Sequence, residues 1–168
     1  VANYVGRDVF GFQGAGVINR VGGKLNGFQG AGVANQVHGS VLGFQGAGVF
    51  NNTSSDFRGF QGAGVFSRVG GYFEGVQSAG VANFAQGGML GFQGAGILNS
   101  VQQKSVGVQA AGVVNWAGAE ILGVQAAGVF NRAPKIWGIQ MSSVLNLADS
   151  LVGVQAGIVN VARNAKGL

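Results

Sequence analysis

The stretch GFQGAGVIN, at residues 11–19, returns with small changes along the whole chain. Its second copy, GFQGAGVAN, starts at Gly27, and the glutamines of eight successive copies are 16 residues apart. Two looser copies start at Gly138 and Gly153, with their glutamines 15 residues apart. A short motif that recurs at a fixed period indicates a repeat architecture. The sequence therefore predicts a single repeat domain over 1–168, which we expect to be a segment of a longer chain.

The composition excludes several protein classes. Only 9% of the 168 residues are charged and 47% are hydrophobic, with a mean hydropathy of +0.33, which is the opposite of a disordered chain. The 34 glycines do not fall at every third residue, so collagen is excluded, and the absence of cysteine removes disulfides and thiolate metal sites. The net charge is +5, but the basic residues are scattered rather than gathered in a patch. We therefore expect no nucleic-acid partner.

The residues of the repeat alternate with a period of two, which is the period of a β-strand. Gln13, Ala15, Val17, Asn19 and Val21 barely change from copy to copy, whereas the positions between Val21 and the next motif that share the opposite parity vary freely. Two or three glycines in each motif would cost about 1 kcal/mol each inside a helix. The pattern therefore predicts strands whose constant side chains face a shared interior and whose variable side chains face outward.

Two all-β architectures keep this alternation. We predict a parallel β-solenoid of about ten 16-residue coils, with an antiparallel up-and-down β-barrel as the alternative. Buried amides are costly unless they are hydrogen-bonded, and only the solenoid places identical amides one strand apart. This argument favours the solenoid. The predicted interior amide ladder comprises Gln13, Gln29, Gln45, Gln61, Gln77, Gln93, Gln109, Gln125, Asn19, Asn35, Asn51, Asn83, Asn99, Asn115 and Asn131.

The charged residues support the same interpretation. Residues 16 apart touch in a solenoid, which would place opposite charges on neighbouring strands and stabilise them slightly. The predicted neighbours are Asp8 with Lys24, Arg58 with Glu74, and Lys104 with Glu120, and Lys135 would continue the last set if the one-residue deletion falls earlier in its turn.

The outward positions of the motif carry large apolar side chains, and between two such stripes glycines such as Gly14 and Gly16 would leave a shallow channel. A continuous exposed apolar face is rare on monomeric soluble proteins. We therefore expect a homo-oligomer, with membrane lipid or another cell surface as alternative partners. The predicted interaction face comprises Phe12, Phe28, Phe44, Phe60, Phe92, Phe50, Phe66 and Phe130.

The unit G-x-Q-x-x-G-x-x-N resembles the bacterial surface-repeat proteins known from leptospires and other Gram-negative groups. The stretch that resembles them most is LNLADSLVGVQAGIVNVARNAKGL, at residues 145–168, although the resemblance covers nearly the whole chain. It implies a location at the bacterial cell surface, in the outer membrane or outside the cell, and no known chemistry.

These observations predict a non-enzymatic structural or adhesive surface module that self-associates through its apolar face. The alternative is an outer-membrane β-barrel, a pore or envelope protein, with the Phe/Gly face toward lipid. A flat ice-binding solenoid would need ranks of threonine, and Thr53 is the only one. The five carboxylates lie in separate coils, and His38 is the single histidine, at a turn. We therefore expect no catalytic residues, cofactor, metal site or small-molecule substrate.

Overall fold

The chain is a parallel β-solenoid in a computed structural model that describes residues 1–167. Each strand pairs in parallel with the equivalent strand of the neighbouring coil, so Gln13 lies beside Gln29 and Gln29 beside Gln45. The predicted solenoid is confirmed, and the antiparallel barrel is wrong because every pairing within residues 1–167 runs parallel. This part of the chain contains no helix, and so none that could cross a membrane.

Each regular coil contains one long and one short strand. The long strands are β2 Val9–Ala15, β4 Leu25–Ala31, β6 Val41–Ala47, β8 Phe57–Ala63, β10 Phe73–Ala79, β12 Met89–Ala95, β14 Ser105–Ala111 and β16 Ile121–Ala127. The short strands are β1 Ala2–Val5, β3 Ile18–Val21, β5 Ala34–Val37, β7 Phe50–Thr53, β9 Phe66–Val69, β11 Ala82–Ala85, β13 Leu98–Val101 and β15 Val114–Ala117. In the last coils the short strand and the next long strand merge, giving β17 Phe130–Ser142, β18 Leu145–Ala156 and β19 Val159–Lys166.

The second coil shows how the sequence sets the cross-section. Strand β4 leads to a two-residue corner at Gly32 and Val33, then to β5 and a turn at residues 38–40. Leu25 and Gln29 on the long strand, and Asn35 and Val37 on the short strand, are buried between the two. The interior therefore has an apolar half next to the turns and an amide half next to the corners.

The apolar half is filled by side chains whose sizes compensate one another. Phe57 and Phe73 are fully buried in the wall of long strands, with ring centroids 6.0 Å apart. Two residues that occupy the valine position of the short strands are Thr53, before Phe57 in the chain, and Ala85, before Met89. Close packing requires such a balance because an interior tolerates neither voids nor overlaps. The variation between coils is thus confined to swaps that keep the interior filled.

Two glycine positions are fixed by the backbone. Gly59, like its equivalents in the other coils, has a positive φ, here 130°, which side chains other than glycine rarely adopt. A Cβ on Gly59 would also lie 2.0 Å from the carbonyl oxygen of Gly43, and a Cβ on the corner residue Gly64 would lie 2.1 Å from that of Gly48. The first and last glycines of the GFQGAG motif are therefore required by the stacking itself.

The shortened repeats lose a residue without shifting the stack. Ala133 lies beside Ala148 and Ile136 beside Ile121, so the first missing residue falls at the turn that contains Pro134. Lys135 then comes within 4.0 Å of Glu120, as predicted from the sequence. The turns therefore absorb changes in length, whereas the strands keep their pairing.

One prediction about the interior is wrong. The valine of the motif, Val17 and its equivalents, was expected inside because it barely varies, but Val17 is 42% exposed. It lies at the corner, where the chain bends around the interior and a side chain points away from it. Alternation of inward and outward residues holds within a strand and not across such a bend.

Candidate functional site

The motif glutamines form a continuous hydrogen-bonded ladder inside the rod. The Nε2 of Gln29 donates to the Oε1 of Gln13 over 2.8 Å, and the Nε2 of Gln45 donates to the Oε1 of Gln29 over 2.8 Å. The same bond recurs as far as Gln155. Nearly all of these side chains are fully buried. Each amide is thus satisfied by its neighbours, which offsets the cost of taking it out of water.

The asparagines form a second ladder with the opposite direction. The Nδ2 of Asn19 donates to the Oδ1 of Asn35 over 3.0 Å, toward the C-terminal end, whereas the glutamines donate toward the N-terminal end. The second hydrogen of Asn19 Nδ2 reaches the carbonyl oxygen of Gly30 over 2.7 Å. That backbone acceptor fixes which end of the amide carries the nitrogen. The asparagine ladder therefore also ties the short strands to the long strands across the interior.

The asparagine ladder has one gap. Ser67 takes the place of an asparagine between Asn51 and Asn83, and its hydroxyl bonds the carbonyl oxygen of Ser78 at 3.5 Å. The Oδ1 of Asn83 is consequently buried without a hydrogen-bond partner. A buried acceptor without a partner costs about 1–3 kcal/mol. The gap marks a rung at which the stack is weaker than its neighbours.

The long strands turn a broad apolar surface to solvent, which we call the apolar face. Its central row is the residue after the first motif glycine, and Phe12 is 79% and Phe28 57% exposed. Sequence reasoning missed a second row two residues earlier on the same face, which includes the exposed Leu42, Leu90 and Trp137. This row varies too much between repeats to stand out, but its parity is outward. The central row comprises Phe12, Phe28, Phe44, Phe60, Val76, Phe92, Val108, Val124, Ile139 and Val154.

The rings of the central row lie along the face. Phe44 and Phe60 stack with centroids 5.0 Å apart and an interplanar angle of 6°. The ring of Phe60 covers Gly62, the residue two places later, since a Cβ at Gly62 would lie 2.9 Å from the ring. The phenylalanines therefore form a ridge in the first half of the face, where Gly62 and its equivalents provide the space.

The second half of the face is lower. Valine or isoleucine replaces phenylalanine at Val108, Val124 and Ile139, and the residues beside them line an open groove of about 630 Å³. The groove lies where the sequence predicted a shallow channel, and it is lined by Gly94, Ala95, Ala110, Ala111, Gly112, Ala126, Ala127, Met141, Ser142, Ser143 and Ala156. The apolar face thus combines a ridge at one end with a groove at the other.

The remaining residues of the predicted interaction face lie elsewhere. Phe50, Phe66 and Phe130 belong to the short strands, beyond the corner of the coil, and each is only half-buried. Phe50 and Phe66 stack with centroids 5.1 Å apart. The structure therefore places the eight predicted phenylalanines on two different walls of the rod, of which the long-strand wall is the more apolar.

The carboxylates of the turns serve the stacking. Asp8 accepts a hydrogen bond from the backbone N–H of Lys24 over 2.7 Å, and Asp56 accepts one from the backbone N–H of Tyr72 over 2.7 Å. The predicted contact of Asp8 with the Lys24 residue is therefore present, but it is made by the backbone of Lys24. Aspartate at this position closes the turn of one coil onto the next.

The other three carboxylates are in ion pairs. Glu74 lies 2.8 Å from Arg58, and Glu120 lies 3.9 Å from Lys104, as the sequence predicted. Asp149 lies between Arg132, at 3.2 Å, and Arg163, at 3.8 Å. Within residues 1–167 no group of three or more histidine or carboxylate side chains could hold a metal ion. His38 lies exposed at a turn. The titratable groups thus stabilise the stack and do not converge on a reactive centre.

Comparison with family models, with curated protein sequences and with solved structures finds no match to this chain. The resemblance stated for the repeat unit therefore stays a hypothesis drawn from the motif.

Proposed function

We propose that the chain is a non-enzymatic structural or adhesive module, a rigid rod that associates with further copies of itself through the apolar face. The observation that carries this proposal is the exposure of that face. Ridge residues such as Phe28 and Phe44 expose 57% and 37% of their surface, and apolar side chains flank them on the same wall. Monomeric soluble proteins rarely leave so large an apolar patch in water.

The rigidity follows from the interior. Two amide ladders and continuous parallel pairing tie each coil to the next, and the buried apolar side chains fill the space between the two walls. A rod of this kind keeps an extended surface flat without needing loops to support it. The carboxylates already occupied in turns and ion pairs support a non-enzymatic role.

The location that we propose is the bacterial cell surface, the outer membrane or the extracellular space. Its support is the resemblance of the repeat unit to bacterial surface-repeat proteins. A rod with few exposed charged groups and one adhesive wall also suits an assembly outside the cell, where repeated modules meet one another or another surface.

The test of self-association is the mass of the folded chain in solution. We expect sedimentation to give a mass above the 16.9 kDa of one chain, and Phe44→Asp to return it toward one chain while the β-sheet content by circular dichroism is unchanged. A charge at Phe44 must be desolvated on association, whereas in the free rod it stays in water.

The matched control for Phe44→Asp is Phe84→Asp, the same change on the outward side of short strand β11. It should leave the mass unchanged. A wild-type chain that sediments as a monomer without detergent, or an oligomer that Phe44→Asp leaves intact, would contradict the proposal.

Contact of the apolar face with lipid is the second candidate function. The observation that favours it is the extreme exposure of Phe12 and Phe10, at 79% and 78%. Flotation with liposomes separates the two candidates, since a lipid-binding wall should carry the wild type but not Phe44→Asp to the lipid layer. A self-associating rod should stay in the aqueous fraction in both cases.

A further inference from the structure

We infer that the second copy on the apolar face lies with its coils in reverse order, related by a two-fold axis that runs along the strands between Val76 and Phe92. This inference rests on the proposed function, because it names the partner and the arrangement at the same surface. Such an axis keeps each row of the face opposite the same row of the partner and sets the first coils of one chain against the last coils of the other.

The sequence of the central row is complementary to itself in this arrangement. With the axis between Val76 and Phe92, Phe28 faces Ile139, Phe44 faces Val124, and Phe60 faces Val108. Large aromatic side chains thus meet smaller aliphatic ones. A ridge that enters a lower region reaches the close packing that stable interfaces show.

The outer and inner ends of the row obey the same rule. Phe12 meets Val154, and Val76 meets Phe92, so all five coil pairs set an aromatic side chain against an aliphatic one. In the neighbouring row Gly30 faces Met141, where the glycine leaves open space and the methionine is 41% exposed. The longest side chain of that row therefore meets a position without a side chain.

The face is large enough for a stable dimer. Seven residues at about 3.3 Å each and ten strands at about 4.8 Å give a wall of roughly 23 by 48 Å, or about 1,100 Å² on each chain. Stable complexes bury about 800 Å² on each partner. The ion pair of Arg58 with Glu74 belongs to the outer row, next to the turns, where the polar rim of an interface would lie.

The opposite arrangement fits less well. A two-fold axis along the rod would keep the coil order and set Phe44 against Phe44 and Val124 against Val124. The ridges would then hold the walls apart, and the grooves would face one another across an empty space. The two arrangements bury the same residues but differ in which coils meet, so they can be distinguished by cross-linking.

The absence of cysteine from the chain makes that experiment clean. We would prepare Gly30→Cys and Met141→Cys, two mild changes on the apolar face, in the second and ninth coils. Packed sheets lie about 10 Å apart, which is too far for a direct disulfide, so a short bismaleimide is the probe. Each variant is treated alone and after the two are mixed and refolded together.

We expect a 30–141 cross-linked dimer in the mixed sample and its loss when either variant is treated alone, because the two cysteines of one variant would be seven strands, or roughly 34 Å, apart. Strong 30–30 and 141–141 products from the single variants would overturn the reversed order while leaving self-association intact. A monomeric mass for the wild type would instead overturn the proposed function, and no specific cross-link would then form.

Discussion

The phenylalanine of the central row and the residue two places after it vary together. Where the row has phenylalanine, as at Phe44 and Phe60, the later residue is glycine, whereas Val108 and Val124 are followed by alanine. The structure gives the reason, since the ring occupies the position of the missing Cβ. The glycine in the middle of GFQGAG is therefore there for the ring, and the glycines at either end of the motif are there for the backbone.

This coupling predicts different effects for the same change in two coils. Gly62→Ala forces the Phe60 ring off its stack with Phe44, and we expect it to be about 1 kcal/mol less stable than Gly30→Ala, where the space is open. Urea unfolding of both variants measures the difference.

The double variant Phe60→Val with Gly62→Ala reproduces the pair found naturally at Val124 and Ala126 and should recover most of the loss. Equal midpoints for the two single alanine variants, or no recovery in the double variant, would contradict the coupling.

At the scale of the element, the ladders make each strand dependent on the rungs beside it. The asparagine ladder is interrupted at Ser67, which leaves the Oδ1 of Asn83 without a donor. In the intact rungs the Nδ2 of each asparagine reaches the next Oδ1 over about 3 Å, for example 3.0 Å from Asn83 to Asn99. The gap is thus a local defect in an otherwise regular element.

Filling the gap should stabilise the protein. Ser67→Asn supplies a donor to Asn83 and a second donor to the carbonyl oxygen of Ser78, and we expect a gain of about 1 kcal/mol. That gain corresponds to a rise in the melting temperature of about 2–4 °C for a chain of this size.

The matched control for Ser67→Asn is Ser100→Asn, the same change at an outward position of short strand β13. It should leave the melting temperature nearly unchanged. A fall in stability for Ser67→Asn, or an equal rise in both variants, would mean that the interior has adapted to the serine.

At the scale of the whole molecule, every coil touches only the coils on either side of it. Such a rod is stabilised by a sum of neighbour contacts, so a coil with two neighbours opens at a higher free energy than a coil with one. The two amide ladders reinforce this dependence because each rung is bonded on both sides.

Hydrogen exchange should follow that order. In the 168-residue chain we expect the backbone amides near Gln77 to exchange most slowly, and those of β1 and β19 to exchange fastest. Exchange followed by proteolysis and mass spectrometry gives the rate for each coil. Uniform protection along the rod would show that the coils open together as one unit.

The sequence predicted the parallel stacking because the period and the buried amides leave few alternatives. It placed the corner valines wrongly, since a rule of alternation holds within Leu25–Ala31 and says nothing about the bend at Val33. The rotation of the Phe60 ring over Gly62 could have been read from their joint variation. The difference in height along the apolar face needed the three-dimensional arrangement of the coils.

The opposed directions of the two amide ladders have a consequence for assembly. The dipole of each glutamine side chain is countered by that of an asparagine in the same lap, so these columns give the rod little electrical distinction between head and tail. Two rods can then lie alongside each other in either sense without an electrostatic cost from their interiors. Orientation is left to surface relief, and a few substitutions among bulky and slender side chains could reverse it.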